Sequence, residues 1–141
     1  TGAMKVFLDH YGFRWMVHRP EEAMFKKQAV CISTAAGRGM KRTNQDMAHS
    51  MFFWGVARTY KYGVAVMETS WERVSAKKKQ AIEKKLDLLA GKIVKRQGKI
   101  SPSIKTKLFF YVMRQMMKNG WNKADVDYWE KKGWTKKKCP W

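Results

Sequence analysis

Gln28-Ala29-Val30-Cys31-Ile32-Ser33-Thr34-Ala35-Ala36-Gly37-Arg38-Gly39 decides how the chain is read. It begins with a short apolar run, Ala29 to Ile32, and passes into small residues and glycines. Basic and helix-forming residues follow. A buried strand that opens into a small-residue loop and then a helix is the ligand-facing corner of an open α/β sheet. Backbone amides at such a corner approach a flat or anionic ligand with no Cβ in the way.

Outward from that stretch the pattern is regular. Gly2 to Val17 is expected to be a helix, with Met4, Phe7, Leu8, Tyr11, Trp15 and Met16 as an apolar stripe coating one face of a sheet. Pro20 ends it. Glu21 to Lys27 reads as a polar connection anchored by Met24 and Phe25. Gln28 to Ser33 is expected to be a strand buried on both faces, as in a parallel sheet. Lys41 to Trp54 reads as a helix with Met47, Met51 and Trp54 on one face. Thr59 to Met67 is the second expected strand, again doubly buried at Val64 to Met67. A long helix from about Ser75 to Arg96 carries Ile82, Leu86, Leu89 and Ile93. The order strand, helix, strand, helix makes a parallel α/β unit. Two such strands are few for an independent sheet, so further strands are expected upstream of Thr1.

The last forty residues change character. A helix is expected to restart after Ser101-Pro102, and Leu108-Phe109-Phe110-Tyr111-Val112-Met113 is apolar almost all round. Such a helix is expected to be covered on more than one side, by the sheet unit and by a second copy of the chain. Binding to a membrane surface is the alternative, given Lys105, Lys107, Arg114 and Lys118 around it. Asn122 is expected to cap a short helix over Lys123 to Lys132.

Charge is distributed unevenly. The chain of 141 residues carries a formal net charge of +19. Residues 75–141 hold 19 Lys and Arg against 5 Asp and Glu, a balance of +14. That half could attract nucleic acid or another polyanion, or simply present solvated lysines. No apolar run reaches the roughly 20 residues of a membrane span, and no leader peptide is visible. Two cysteines do not make a disulfide framework, and a reducing cytoplasmic setting fits them.

Few residues suggest chemistry by themselves. His10, His18 and His49 show no metal-binding spacing. Asp46 and His49 read as a surface pair. Ser33 stands at a strand end without the surroundings of a nucleophile elbow. Cys31 reads as a small core residue. The small-residue loop therefore remains as the candidate site. Its hydroxyls and amides suit the polar edge of a planar heterocycle, and Arg38 suits a phosphate.

The order Thr1-Gly2-Ala3-Met4-Lys5, then Phe7-Leu8-Asp9, a strand ending Ser33-Thr34, a glycine loop, and a second strand after Trp54-Gly55-Val56 resembles the NADPH-dependent FMN reductase family of flavodoxin-like flavoproteins. The likeness is to the C-terminal half of such a protein. It implies an α/β fold, the last parallel strands and helices of a partial flavodoxin-like three-layer sandwich over residues 1–98, with a helical basic and aromatic extension over 99–141. The stretch from Tyr128 to Trp134 resembles an extension of some bacterial members. The resemblance implies hydride transfer from NADPH or NADH through bound FMN. Separately from the resemblance, the apolar Phe109–Met117 helix and the open sheet edge point to a homo-oligomer. The implied flavin contacts are Thr1 and Gly2 at one helix start, and Ser33, Thr34, Ala35, Ala36, Gly37, Arg38 and Gly39 beside the ring. The family's phosphate-binding loop, Gly-Ser-x-Arg, and its Ser-Pro-x-Tyr loop do not occur in this chain. The chain alone is therefore expected to hold FMN weakly. Alternatives from the residues themselves are a polyanion-binding module and a structural half-domain that pairs with a second copy.

Overall fold

The computed structural model describes residues 2–141. Five α-helices and two β-strands are found among the described residues, so the protein is mixed α/β. In chain order these are α1 (Gly2–His10), β1 (Gln28–Ala35), α2 (Met40–Phe53), β2 (Arg58–Ala65), α3 (Ala76–Arg96), α4 (Ile104–Lys118) and α5 (Lys123–Lys131). The strands pair in parallel, from Gln28 opposite Arg58 to Ala35 opposite Ala65. α2 makes the crossover and packs against both strands.

The alternation of a β-strand assigns residues to opposite faces. Ala29 joins Met47 and Met51 of α2 in a small core built on Leu8, Trp54 and Val56. Cys31 is buried. Ser33 donates to the Met40 carbonyl at the start of α2. Val30 and Ile32 point away from α2 and stand exposed, Ile32 at 52%. The expected burial on both faces is thus not found: one helix covers one face, and period 2 leaves alternate side chains in solvent. At the amino end of the far face, Gln28 Nε2 donates to the Ile93 carbonyl of α3 and Tyr60 Oη donates to Gln28 Oε1.

The first helix is shorter than its apolar stripe suggests. It stops at His10, and Gly12–Arg14 form a 3-10 turn. Glycine at position 12 weakens helix continuation, and Met16 N–H bonds instead to the Phe53 carbonyl. α1 packs mainly on α2, and its Leu8 shares a core with Ala29 of β1. Only Leu8 of the helix is buried, while Met4 and Phe7 are exposed. In α3 the expected stripe is also thinly covered: Ile82 is buried, Leu89 and Ile93 are half-buried, and Leu86 is exposed.

The larger core lies around α4 and α5. It joins Met16 and Phe25 to Phe110, Met113, Met117, Trp129 and Trp134. Phe110 is central. Its ring stacks on Trp129 at 4.7 Å and meets Phe25, Trp134 and Trp141 edge-on at 5.6, 5.7 and 5.1 Å. Such aromatic pairs add about 0.5–1.5 kcal/mol each beyond their buried area. Asn122 caps α5 through its Oδ1, which accepts from the amides of Ala124 and Asp125, as its position before the helix leads one to expect. Within the chain α4 is covered by Phe52 and Phe53 of α2 and by Trp129 of α5. Thr106, Phe110, Met113 and Met117 are buried, but Ile104, Leu108, Tyr111 and Val112 face solvent.

Polar contacts fasten α5 to residues 18–22. Trp129 Nε1 donates to the His18 carbonyl at 2.6 Å and Tyr128 Oη to the Pro20 carbonyl at 2.7 Å. Asp125 is buried, with His18 Nδ1 2.9 Å from Oδ2 and Arg19 Nε 3.2 Å from Oδ1, the latter out of line for a hydrogen bond. Asp125→Ala is expected to destabilise the fold by about 1–3 kcal/mol, because it removes the buried acceptor that faces the Arg19 guanidinium and the His18 imidazole. Both partners are partly exposed, which keeps the loss below that of a fully buried pair. Urea unfolding of the variant measures this, and an unchanged midpoint would show that the cluster holds nothing.

Candidate functional site

β1 runs further than its sequence suggests. Thr34 and Ala35 continue the strand beyond Ser33, because pairing continues to Ala65 and the Val66 amide then bonds to the Ala35 carbonyl at 2.9 Å. The loop is therefore Ala36, Gly37, Arg38 and Gly39, all exposed. It lies at the carboxyl edge of a parallel pair, just before α2. Gly39 caps that helix with φ +100°, a conformation that favours glycine. Its carbonyl accepts from the Arg42 and Thr43 amides, and no side chain caps the helix. The first turn of α2 thus presents uncapped amide donors toward the loop.

The expected contact residues do not share one surface. Ser33 faces α2, its hydroxyl 3.3 Å from the Met40 carbonyl, and so is turned from the open face of the strand. Thr34 is exposed, and by the alternation of the strand it lies on the face opposite Ser33. Gly37 and Gly39 have open space where a Cβ would stand. Gly2 is the first residue of α1 and is exposed. Thr1 lies outside the described residues.

A cleft of about 320 Å³ connects the two helix starts. Met4, Lys5 and Leu8 of α1 line one side, and Gly39, Arg42, Thr43, Asp46 and Met47 line the other. Sequence reasoning named Gly2 and Gly39 separately, and the packing of α1 on α2 brings their neighbourhoods together. Lys5 and Arg42 were not singled out. Their signal was position: each is a cation in the first turn of a helix flanking the loop.

On the other side of α2, Asn44 is buried beneath β2, and its Oδ1 has no hydrogen-bond partner. A cavity of about 380 Å³ there is lined by Met40, Lys41, Asn44, Gln45, Lys61 and Gly63. Gly63 is needed for this packing, since a Cβ on it would stand 2.6 Å from the Met40 Cβ. Gly63→Ala is expected to cost about 1–3 kcal/mol by overpacking. It should also displace the start of α2, and with it Gly39. Thermal unfolding reads the first effect, and a shifted Gly39 amide resonance reads the second.

His49 Nε2 is 2.8 Å from Gln45 Nε2, so its neighbour is Gln45 and not the expected Asp46. Among the described residues, no three His, Cys, Asp or Glu converge on one point. Cys31 is buried, and burial pushes its thiol up while Lys61 opposes the shift. Its thiolate is scarce near neutrality. Iodoacetamide at pH 8 is expected to modify the partly exposed Cys139 at least about tenfold faster than Cys31. Peptide mass mapping gives the ratio, and equal rates would contradict the burial of Cys31.

Exposed backbone, a solvent-facing Thr34 and space above Gly37 and Gly39 fit the edge of a planar polar ring, with Arg38, Lys5 and Arg42 as nearby cations. No enclosed phosphate nest is present in the loop. No helix among the described residues is long and apolar enough to cross a membrane. Compared with family models, curated proteins and solved structures, the chain matches none.

Proposed function

We propose that the chain is the FMN-facing segment of a flavodoxin-like oxidoreductase, in which reducing equivalents pass from NADPH or NADH through bound flavin. One observation carries the reading: a small-residue loop with a left-handed Gly39 sits between a parallel strand and a helix, at the sheet's carboxyl edge. Ligands of open α/β sheets bind at that edge. The flavin supplies the hydride chemistry when bound, and the protein positions it. Amides around Ala36–Gly39 meet the ring's polar edge, Thr34 adds a hydroxyl, and the cations of the α1–α2 cleft attract the phosphate. The exposed Val30 and Ile32 and the free edge of β1 are consistent with a larger sheet completing the site. The exposed Ile104, Leu108 and Val112 of α4 offer a face for a second copy of the chain.

Flavin fluorescence titration tests the proposal on the chain and on the longest product of its open reading frame. Weak saturable quenching is expected for the chain, at a Kd on the order of 100 µM or above, and tighter binding for a longer product that carries a phosphate loop. Arg38→Glu should weaken binding about tenfold. An absence of quenching in every form would overturn the reading.

A further inference from the structure

We infer that the chain has a second ligand site, for a diphosphate-bearing anion, at the end of the strands opposite the small-residue loop. A cavity of about 490 Å³ lies there among four elements. Its floor is Ala48 and Phe52 of α2 with Val56 and Ala57. Its walls carry Arg58 from the start of β2, Lys92 and Arg96 from the end of α3, and Ser103 and Thr106 from the start of α4. No carboxylate lines it. Its volume falls in the range of small-ligand sites, about 300–1,000 Å³.

The charges make the argument. Lys92 and Arg96 are one helical turn apart, and Arg58 faces them from the strand. None of the three enters an ion pair among the described residues. Cations at a helix C-terminus offset its dipole, which accounts for two of them. It does not account for Arg58 on the facing strand. All three are exposed, so water screens part of their mutual repulsion, and an anion of charge −2 to −3 in the cavity offsets what remains. Arginine also forms paired hydrogen bonds to phosphate oxygens.

The surrounding polar groups suit the same ligand. Ser103 Oγ accepts from the Thr106 amide and lies 2.9 Å from Thr106 Oγ1, so both hydroxyls are held at the wall. The start of α4 adds a positive dipole end to a site that the cations already define. Lys105 lies over the Phe52 ring at 4.8 Å, a fourth cation by a lining residue. The site is seven residues along the strand from Ala35 and Ala65, roughly 23 Å from the carboxyl edge. It is therefore independent of the flavin reading and survives or fails separately.

Calorimetric titration of the 141-residue chain with inorganic pyrophosphate, at about 50 mM salt to limit screening, tests the inference. One site per chain is expected, with a Kd of about 10–300 µM. Arg58→Gln and Arg96→Gln should each weaken it about tenfold, and Arg96→Lys should recover part of the loss. Lys118→Gln and Lys131→Gln remove the same charge outside the cavity and should change Kd less than about twofold. Pyrophosphate should also raise the melting temperature of the parent chain and not of the two arginine variants. ADP and pyrophosphate arms identify the source: tighter ADP binding assigns a nucleotide, and tighter pyrophosphate binding assigns the free anion. Both support the site. No heat and no melting shift at about 5 mM pyrophosphate would overturn it. So would equal weakening by the control variants, or binding only of a single-stranded RNA, because either would make the charge a diffuse polyanion surface.

Discussion

Trp129→Ala is expected to lower the unfolding free energy by about 3–5 kcal/mol, the range for removing a large aromatic from a packed core. Trp129 is fully buried. Its ring stacks on Phe110 at 4.7 Å and meets Trp134 edge-on at 5.5 Å. Its indole N–H also satisfies the His18 carbonyl, so truncation leaves both a void and an unpaired acceptor. The residues that would have to close the void, Phe110, Trp134 and Phe25, are held by one another and collapse poorly. Urea unfolding followed by fluorescence measures the loss. A change below about 1 kcal/mol would mean that this aromatic cluster is not the main core.

Gly55→Ala is the second large effect, with an expected cost of about 2–4 kcal/mol. Two causes combine there. Gly55 ends α2 with φ +82°, where an L side chain is strained. A Cβ would also stand 2.7 Å from the Phe25 ring, and Phe25 is fully buried and cannot withdraw. Gly98 provides the control, with φ +71° and open space around it. Gly98→Ala should cost only the backbone strain, about 1–2 kcal/mol. Equal losses at both positions would remove the clash with Phe25 from the account.

What was legible in the sequence was local. The order of strands and helices from Gln28 onward follows from short apolar runs, periodic stripes and caps, and the starts of α2, α3 and α5 fall close to where those signals put them. The face assignments were less legible. An apolar run such as Ala29 to Ile32 looks the same whether one or two layers cover it, and here α2 covers only one face. The stripe of the first helix was misleading in another way. Met16 belongs to the Phe110 core and Leu8 to the Trp54 core, so one periodic pattern serves two clusters across the turn at Gly12. Which side of α4 its own chain covers was not legible either, because composition does not distinguish the buried Phe110 and Met113 from the exposed Leu108 and Val112.

The site was legible as a loop and not as a geometry. Glycines and small residues announced the exposed corner at Ala36–Gly39. The family resemblance puts Ser33 beside the ring, yet strand alternation turns it toward the Met40 carbonyl. The approach of α1 to α2, which forms the cleft from Lys5 to Arg42, is a tertiary contact with no sequence pattern of its own. The same holds for Arg58 with Lys92 and Arg96, which are distant in sequence and meet only because β2, α3 and α4 share one end of the sheet.

The flavin proposal is tested most directly by mapping where FMN touches the chain. Amide resonances of the isotopically labelled protein, followed during FMN addition, give that map without dependence on turnover. The account predicts saturable shifts confined to Thr34–Arg42 and to Gly2–Lys5, with the Arg58, Lys92 and Arg96 amides unmoved. Shifts centred elsewhere, or no shifts at millimolar FMN, would contradict it.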